Sequence, residues 1–270
     1  MTFEQFQLSE EVLKALQALN YNQPTEVQQK VIPQLMRKQD CIAQAKTGSG
    51  KTASFAIPLI EQVEWIENKP QVLVLTPTRE LAVQVAEEFT AIGRYKRIKA
   101  VPLYGKQPFR YQQTELKQKT HIVVGTPGRV LDHIEKGTLN VSKIDAVVID
   151  EADEMLNMGF IEQVESIMNA IPNRKNTYLF SATFSDEILA LIKRYTNNAE
   201  FIELVKKEEA PKIAHYMLQV EDEKKIDLLQ KLLKVENPDQ CIIFCRTKDR
   251  VDEVHDILYD LQYSVDELHG

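Results

Sequence analysis

The chain has 270 residues, of which 43% are hydrophobic and 27% charged, with 9 Gly and 11 Pro. At about 150 residues per domain this length gives one large domain or a domain and a fraction, and the composition excludes disordered and collagen-like chains. The net charge of −7, taken alone, argues against a nucleic-acid partner.

Met1 to Glu11 carries acidic residues and lacks the basic start and apolar core of a signal peptide, so the sequence predicts a cytoplasmic protein. Ser9 is placed to cap a helix in which Val12, Leu13, Leu16 and Leu19 follow helical spacing, and Pro24-Thr25 breaks the chain ahead of a second helix. From Cys41 onward, short apolar runs alternate with amphipathic segments. This is the βαβα rhythm of a parallel sheet covered by helices on both faces. Strands are expected at Cys41 to Ala43, Val72 to Leu75, Ala100 to Leu103, Ile122 to Val124, Ala146 to Ile149, Tyr178 to Phe180 and Phe201 to Leu204. Most are continuous in hydrophobicity, as strands buried on both faces are. Apolar stretches such as Ala53 to Ile60 fall short of the ~18 residues of a membrane span, so no membrane partner is expected.

Charge is distributed unevenly. Between Ala91 and Val130 there are nine basic residues and one acidic residue, whereas the other 230 residues hold 24 basic and 39 acidic. A localised phosphate-binding surface has this asymmetry, and so does a solvated helix face. Further on, Lys206 to Pro211 is charged, lacks large apolar residues and ends in proline, which reads as a linker. The expected organisation is a first domain over 1–206, a linker over 207–212 and a second domain over 213–270 that is cut short. In the last of these the rhythm restarts with Ala214 to Val220, a helix near Lys224 to Leu233, a strand at Ile242 to Cys245 and a helix near Asp249 to Leu261. Cys41, Cys241 and Cys245 form no disulfide framework; Cys-Ile-Ile-Phe-Cys reads as a buried strand rather than a zinc site, which wants four ligands.

Ala45-Lys46-Thr47-Gly48-Ser49-Gly50-Lys51-Thr52 follows the first strand and precedes a helix, the setting a phosphate-binding loop requires. Glycines let backbone N–H groups converge on phosphates, and the helix N-terminus favours negative charge. Lys51 is placed to reach the β and γ phosphates of a nucleotide and Thr52 to hold Mg²⁺. Val147-Val148-Ile149-Asp150-Glu151 supplies a carboxylate pair at the end of another buried strand. Asp150 suits the metal, and Glu151 suits orienting and deprotonating an attacking water.

With Ala152-Asp153 completing that segment, the sequence resembles the DEAD-box family of ATP-dependent RNA helicases over nearly its whole length. Asn20-Tyr21-Asn22-Gln23-Pro24-Thr25-Glu26-Val27-Gln28 is similar to the family's adenine-reading Q motif, with Phe3 at the spacing of its upstream aromatic. The resemblance implies that Gln23 and Gln28 contribute to the nucleotide site, Gln28 on the adenine edge, with Phe3 stacked on the base. Phe3 alone would read as a core anchor. Pro77-Thr78-Arg79 and Thr126-Pro127-Gly128-Arg129 resemble the family's RNA-backbone motifs. Ser181-Ala182-Thr183 resembles the motif that couples ATP state to RNA handling through Asp153. Arg246-Thr247 resembles the first RNA-contacting motif of a second RecA-like domain.

The sequence departs from the family at three internal places: Lys46 where Gln is commoner, Asn20 for a usual Gly, and Gly105-Lys106 for a Gly-Gly that lets backbone approach RNA. Lys106 can substitute a charge contact there. Gly125 to Gly137 and Glu236 to Lys248 are most similar to the bacterial DbpA/YxiN subgroup, which implies ribosomal RNA as a partner. The arginine-finger motifs expected beyond His269-Gly270 are not in this sequence. Residues 1–270 are therefore expected to bind nucleotide without RNA-stimulated hydrolysis or unwinding. The reading is a RecA-like P-loop domain using ATP and Mg²⁺ to separate short RNA duplexes. Its rivals are a P-loop ATPase acting on DNA and an RNA clamp that uses ATP only as a switch.

Overall fold

The computed structural model describes residues 1–46, 48–204 and 214–269. The chain divides into two compact units, Met1–Glu208 and Glu209–Gly270, and the linker expected at 207–212 lies outside the described residues.

In the first unit, α1 (Glu10–Ala18) and α2 (Glu26–Met36) precede β1 (Cys41–Gln44), α3 (Lys51–Gln62), β2 (Val72–Leu75), α4 (Arg79–Ile92) and β3 (Ala100–Leu103). The chain continues through α5 (Phe109–Lys117), β4 (Ile122–Gly125), α6 (Pro127–Glu135), β5 (Ala146–Ile149), α7 (Ala152–Asn157) and α8 (Ile161–Ala170). It closes with β6 (Asn176–Ser181), α9 (Asp186–Tyr195) and β7 (Glu200–Glu203). The seven strands form one parallel sheet in the order β3-β4-β2-β5-β6-β1-β7, the RecA-like architecture expected.

Continuous hydrophobicity in the strands has a direct structural cause. Successive side chains point to opposite faces, and each face meets its own core. Val72, Val74, Ala146, Val148, Tyr178 and Phe180 join one cluster with Phe55, Leu59 and Phe89 of α3 and α4. Leu73, Leu75, Val147, Ile149 and Leu179 join the other with Val130, Val164, Ile167 and Ile188 of α6, α8 and α9. Neither face of a central strand can carry a polar residue without burying it.

Of the two helix starts expected ahead of β1, one is capped by the side chain placed there and the other is not. Thr25 caps α2 in a capping box with Gln28, the Thr25 N–H donating to Gln28 Oε1 at 3.0 Å. Ser9 precedes α1 but makes no capping bond. Its N–H and its hydroxyl both donate to Glu61 Oε1 at 2.8 Å, tying the start of α1 to the end of α3.

The second unit contains α10 (Lys225–Glu236) and α11 (Lys248–Asp260). The strands expected at Ala214 to Val220 and Ile242 to Cys245 do not form, and the Cys-Ile-Ile-Phe-Cys run is not buried: Ile242 is 80% and Phe244 93% exposed. A strand needs a neighbour to take its backbone hydrogen bonds. Among the described residues of this unit there is none, so apolar composition alone does not order these runs.

Candidate functional site

Because every strand is parallel, all carboxyl ends open on one edge of the sheet, where open α/β sheets place their ligand crevice. The strand order divides that edge in two. Neighbouring strands β5, β6 and β1 deliver Asp150, Ser181 and the glycine loop to one half. Neighbouring strands β3, β4 and β2 deliver Gly105-Lys106, Thr126 to Arg129 and Pro77 to Arg79 to the other.

In the first half, the loop between β1 and α3 is shaped by its glycines. Gly50 has φ +90°, and a Cβ there would stand 2.7 Å from Gln28 Nε2 and 3.1 Å from Thr25 Oγ1. That space is taken by Gln28, whose Nε2 donates to the Gly50 carbonyl at 3.3 Å. Lys51 is 6% exposed and folds back so that Nζ donates to the Ala45 carbonyl at 3.3 Å, while Ser49 Oγ donates to the Lys46 carbonyl at 2.8 Å. Thr47 lies outside the described residues. Thr52 follows Lys51 in the first turn of α3.

Asp150 is 2% exposed, and its Oδ1 has no hydrogen-bond partner among the described residues. Burial pushes its carboxyl up to about 6; the Lys51 charge opposes this, and the Glu151 and Glu88 charges add to it. Glu151 sits at the N-cap of α7 with φ +55°, a left-handed conformation that costs a non-glycine residue about 1–2 kcal/mol. Residues held this way against local preference cluster at functional sites. One turn on, Asp153 Oδ2 accepts from the Ala182 N–H at 3.2 Å, the Thr183 N–H at 3.0 Å and the Thr183 hydroxyl at 3.1 Å. Its own N–H donates to Ser181 Oγ at 3.3 Å, and the Ser181 hydroxyl donates to the Thr183 carbonyl at 2.6 Å. Burial pushes the Asp153 carboxyl up, but the bonds from Thr183 and Ser181 outweigh it and hold it below the usual range. The start of α7 is thereby locked to the end of β6. Gln44 adds a further tie, donating from Nε2 to the Ala182 carbonyl at 3.0 Å.

At the nucleotide-base side, Phe3 is buried edge-on against Phe6 and Tyr21, with centroids 6.2 and 6.3 Å away, and Gln23 is exposed. Sequence reasoning missed Glu88 of α4. Tyr21 Oη donates to its Oε1 at 2.9 Å, and burial pushes this carboxyl up. In the sequence Glu88 follows Glu87 on a helix, and such a pair reads as a solvated face; only its position beside Phe89 hints otherwise.

In the second half, Thr78 caps α4, accepting the Leu81 N–H at 3.2 Å, and exposed Arg79 pairs with its neighbour Glu80. Thr126 stands at the N-cap of α6 with its hydroxyl free of any capping bond; the space at Gly105 is open, and a Cβ at Gly128 would meet Gln163 Oε1 at 3.9 Å, an ordinary contact. Lys106 has φ +65°, the left-handed region where Gly costs nothing, which is a backbone reason for glycine at that place. Arg129 is anchored inward: Nη1 donates to the Gln107 carbonyl and to Gln112 Oε1, both at 2.9 Å. Gln112 in turn meets buried His133 at 3.1 Å, so Arg129 braces the Lys106 loop. Burial and the Arg129 charge push His133 down to about 4, which keeps this bracket neutral on the histidine. Arg246 is exposed, and Thr247 caps α11 in the second unit, accepting the Arg250 N–H at 3.3 Å.

A glycine loop at a helix N-terminus, a buried lysine and a buried carboxylate on the carboxyl edge of a parallel sheet define a P-loop nucleotide-binding protein with a RecA-like fold. Within that class the chain belongs to the DEAD/DEAH box helicase family, whose model matches residues 25–191. It is 55% identical over 269 residues to the ATP-dependent RNA helicase DbpA of Bacillus subtilis (strain 168), covering 99% of this chain and 56% of that one. It is 45% identical over 270 residues to the DEAD-box ATP-dependent RNA helicase CshA of Geobacillus kaustophilus (strain HTA426), covering 100% of this chain and 58% of that one. The chain thus spans little more than half the length of these relatives. Among solved structures, a DEAD box protein from the hyperthermophile Methanococcus jannaschii superposes with a TM-score of 0.73 at 40% identity, covering 100% of this chain and 73% of that one. No helix among the described residues is long and apolar enough to cross a membrane.

Proposed function

We propose that this chain is the ATP-binding part of an RNA helicase, with Mg·ATP seated on the loop from Ala45 to Thr52 and RNA on the loops after β2, β3 and β4. The observation that carries the reading is Asp150 Oδ1, a buried carboxylate oxygen without a hydrogen-bond partner among the described residues, at the strand end beside the Lys51 loop. A buried polar atom left open in this way wants an explanation, and an oxygen donor for a hard divalent cation supplies one. Asp150 and the Thr52 hydroxyl fit Mg²⁺. When bound, the ion neutralises phosphate charge.

The protein's own residues do the rest. Lys51 turns from the Ala45 carbonyl to the β and γ phosphates, and loop N–H groups of Lys46 to Gly50 follow it. Glu151 orients the attacking water and takes its proton. Asp153, Ser181 and Thr183 tie the acidic segment to β6, so a shift at the phosphate reaches the neighbouring strand end. Gln28, with Gln23 and Phe3, selects adenine; since Gln28 also bonds Gly50, base recognition and phosphate loop meet in one side chain. Backbone and side chains at Pro77, Thr78, Arg79, Gly105, Lys106, Thr126, Gly128 and Arg129 hold RNA phosphates; within the second unit, Arg246 and Thr247 are RNA-contacting residues in their own right. The partner is RNA, of the ribosomal class that the DbpA/YxiN resemblance implies, and the setting is the cytoplasm.

Equilibrium titration with fluorescent ATP and GTP analogues tests this. Mg·ATP is expected to bind in preference to Mg·GTP. Lys51→Ala is expected to weaken binding about ten- to a hundredfold, as loss of charge-assisted bonds does. Equal affinity for GTP, or unchanged binding by Lys51→Ala, would refute the reading.

A further inference from the structure

Gly105 and Lys106 lie on the turn between β3 and α5. Among the described residues no backbone hydrogen bond within 3.5 Å joins 104–107 to another element of the fold. Side chains do so instead. Gln112 of α5 donates from Nε2 to the Tyr104 carbonyl at 2.9 Å and to Gln107 Oε1 at 2.7 Å. Arg129 of α6 donates from Nη1 to the Gln107 carbonyl at 2.9 Å, and from the same nitrogen to Gln112 Oε1 at 2.9 Å.

The chemistry of the partners fixes which way the amide faces. A guanidinium can only donate, so the side of Gln112 toward Arg129 must be its oxygen, and its nitrogen is left for the two acceptors on the turn. The oxygen must then also accept from His133 Nε2 at 3.1 Å, which places the proton of the neutral ring on that nitrogen. His133 is fully buried and stacks on Phe109 with centroids 4.0 Å apart. Gln112, 1% exposed, therefore makes all four hydrogen bonds an amide can make, two to the turn after β3 and two to α6 after β4. Reversing or removing the amide would leave buried groups unpaired on both sides. In the sequence Gln112-Gln113 reads only as a polar stretch of helix.

We propose that Gln112 is a positioning residue for RNA: by tying the Lys106 turn and Arg129 to one buried amide, it sets the loops after β3 and β4 as a single phosphate-binding edge without touching RNA itself. This rests on these loops binding RNA, as proposed above. A turn that is ordered in the free protein does not have to be ordered when ligand arrives, and that saving appears as affinity.

The test uses the whole chain, with a fluorescein-labelled oligouridylate as the RNA probe and limited trypsin digestion as the probe of the turn. Lys106 is exposed, and trypsin cleaves after lysine once the backbone can open to fit the protease. Gln112→Met keeps the side-chain length and removes all four bonds. It is expected to raise cleavage after Lys106 about 10-fold relative to the other sites, and to weaken oligouridylate binding about 10-fold. Fluorescent Mg·ADP affinity is expected to stay within about twofold, because the phosphate loop lies on the other half of the sheet edge. A residue that served stability alone would lower the melting temperature without singling out Lys106 or RNA. Unchanged oligouridylate affinity in Gln112→Met, an equal loss of RNA and nucleotide affinity, or cleavage that rises at all sites alike would overturn the proposal. Should Gln112→Met fail to fold, Gln112→Asn, one methylene too short to reach the turn and Arg129 together, is read by the same criteria. If the wild-type chain does not bind oligouridylate, the RNA reading itself fails and this proposal with it, and that failure is visible before any variant is made.

Discussion

Replacing Asp150 by Asn should stabilise the nucleotide-free protein at neutral pH, although it removes a residue the proposed chemistry needs. The folded chain raises this carboxyl from an ordinary value of 3.8 to about 6, chiefly by burial. A raised carboxyl means that the folded state binds the proton more tightly than the unfolded state does. Below about pH 3.8 both states are protonated and the cost is absent. Between about 3.8 and 6 the unfolded state ionises first and stability falls with rising pH; above about 6 the whole penalty is present. A shift of roughly two units corresponds to about 3 kcal/mol, and full burial leaves no solvent screening to discount. Asn has nearly the shape of the protonated acid and never ionises. For a protein of this size the gain amounts to about 6–12 °C in melting temperature. The assay is thermal unfolding of wild type and Asp150→Asn in EDTA without nucleotide, at pH 4 and pH 7.5. The variant should melt higher at pH 7.5, and the difference should shrink at pH 4. Equal melting at pH 7.5, or a variant less stable there, would show that Asp150 is not held against its ionisation and would remove the physical ground for a cation site at its Oδ1.

The sheet was legible in the sequence because both faces of its inner strands are buried, so period-two alternation is erased and only continuous apolar runs satisfy both cores. The seven runs lie within or beside the strands that form, and the ends differ where pairing extends them, as at Asn176 and Ser181. The glycine loop and Asp150-Glu151 were legible because backbone geometry demands those residue types. Glu88 was not: its partner Tyr21 lies 67 residues away, and their meeting depends on packing that no local pattern encodes. Arg129 was half legible. Its chemistry pointed to phosphate, but Gln107 and Gln112, which occupy one of its nitrogens, are ordinary loop and helix residues in the sequence. The run Ile242 to Cys245 misled because composition reports that a segment is fit to pair, while order requires the partner to be there.

Two further outcomes follow from the loops. Gly50→Ala should cost about 3–5 kcal/mol in stability: about 1–3 for the left-handed backbone, plus two bonds of about 1 each lost as the Gln28 amide is pushed from Thr25 and Gly50. Thermal unfolding checks it, and a shift under 2 °C would refute it. Lys106→Gly separates backbone strain from charge at the RNA-facing loop. Glycine relieves about 1 kcal/mol of left-handed strain but gives back about 0.5–1 through the unfolded chain, so stability should barely change. If Lys106 holds a phosphate of single-stranded RNA, the slope of log affinity against log salt should flatten by about 0.7, uniformly across RNA sequences. If Lys106 only occupies a place that glycine would fill better, affinity should hold or rise with the slope unchanged. An unchanged slope would assign the positive charge of this surface to other residues, because a phosphate contact cannot be lost without a smaller release of counterions.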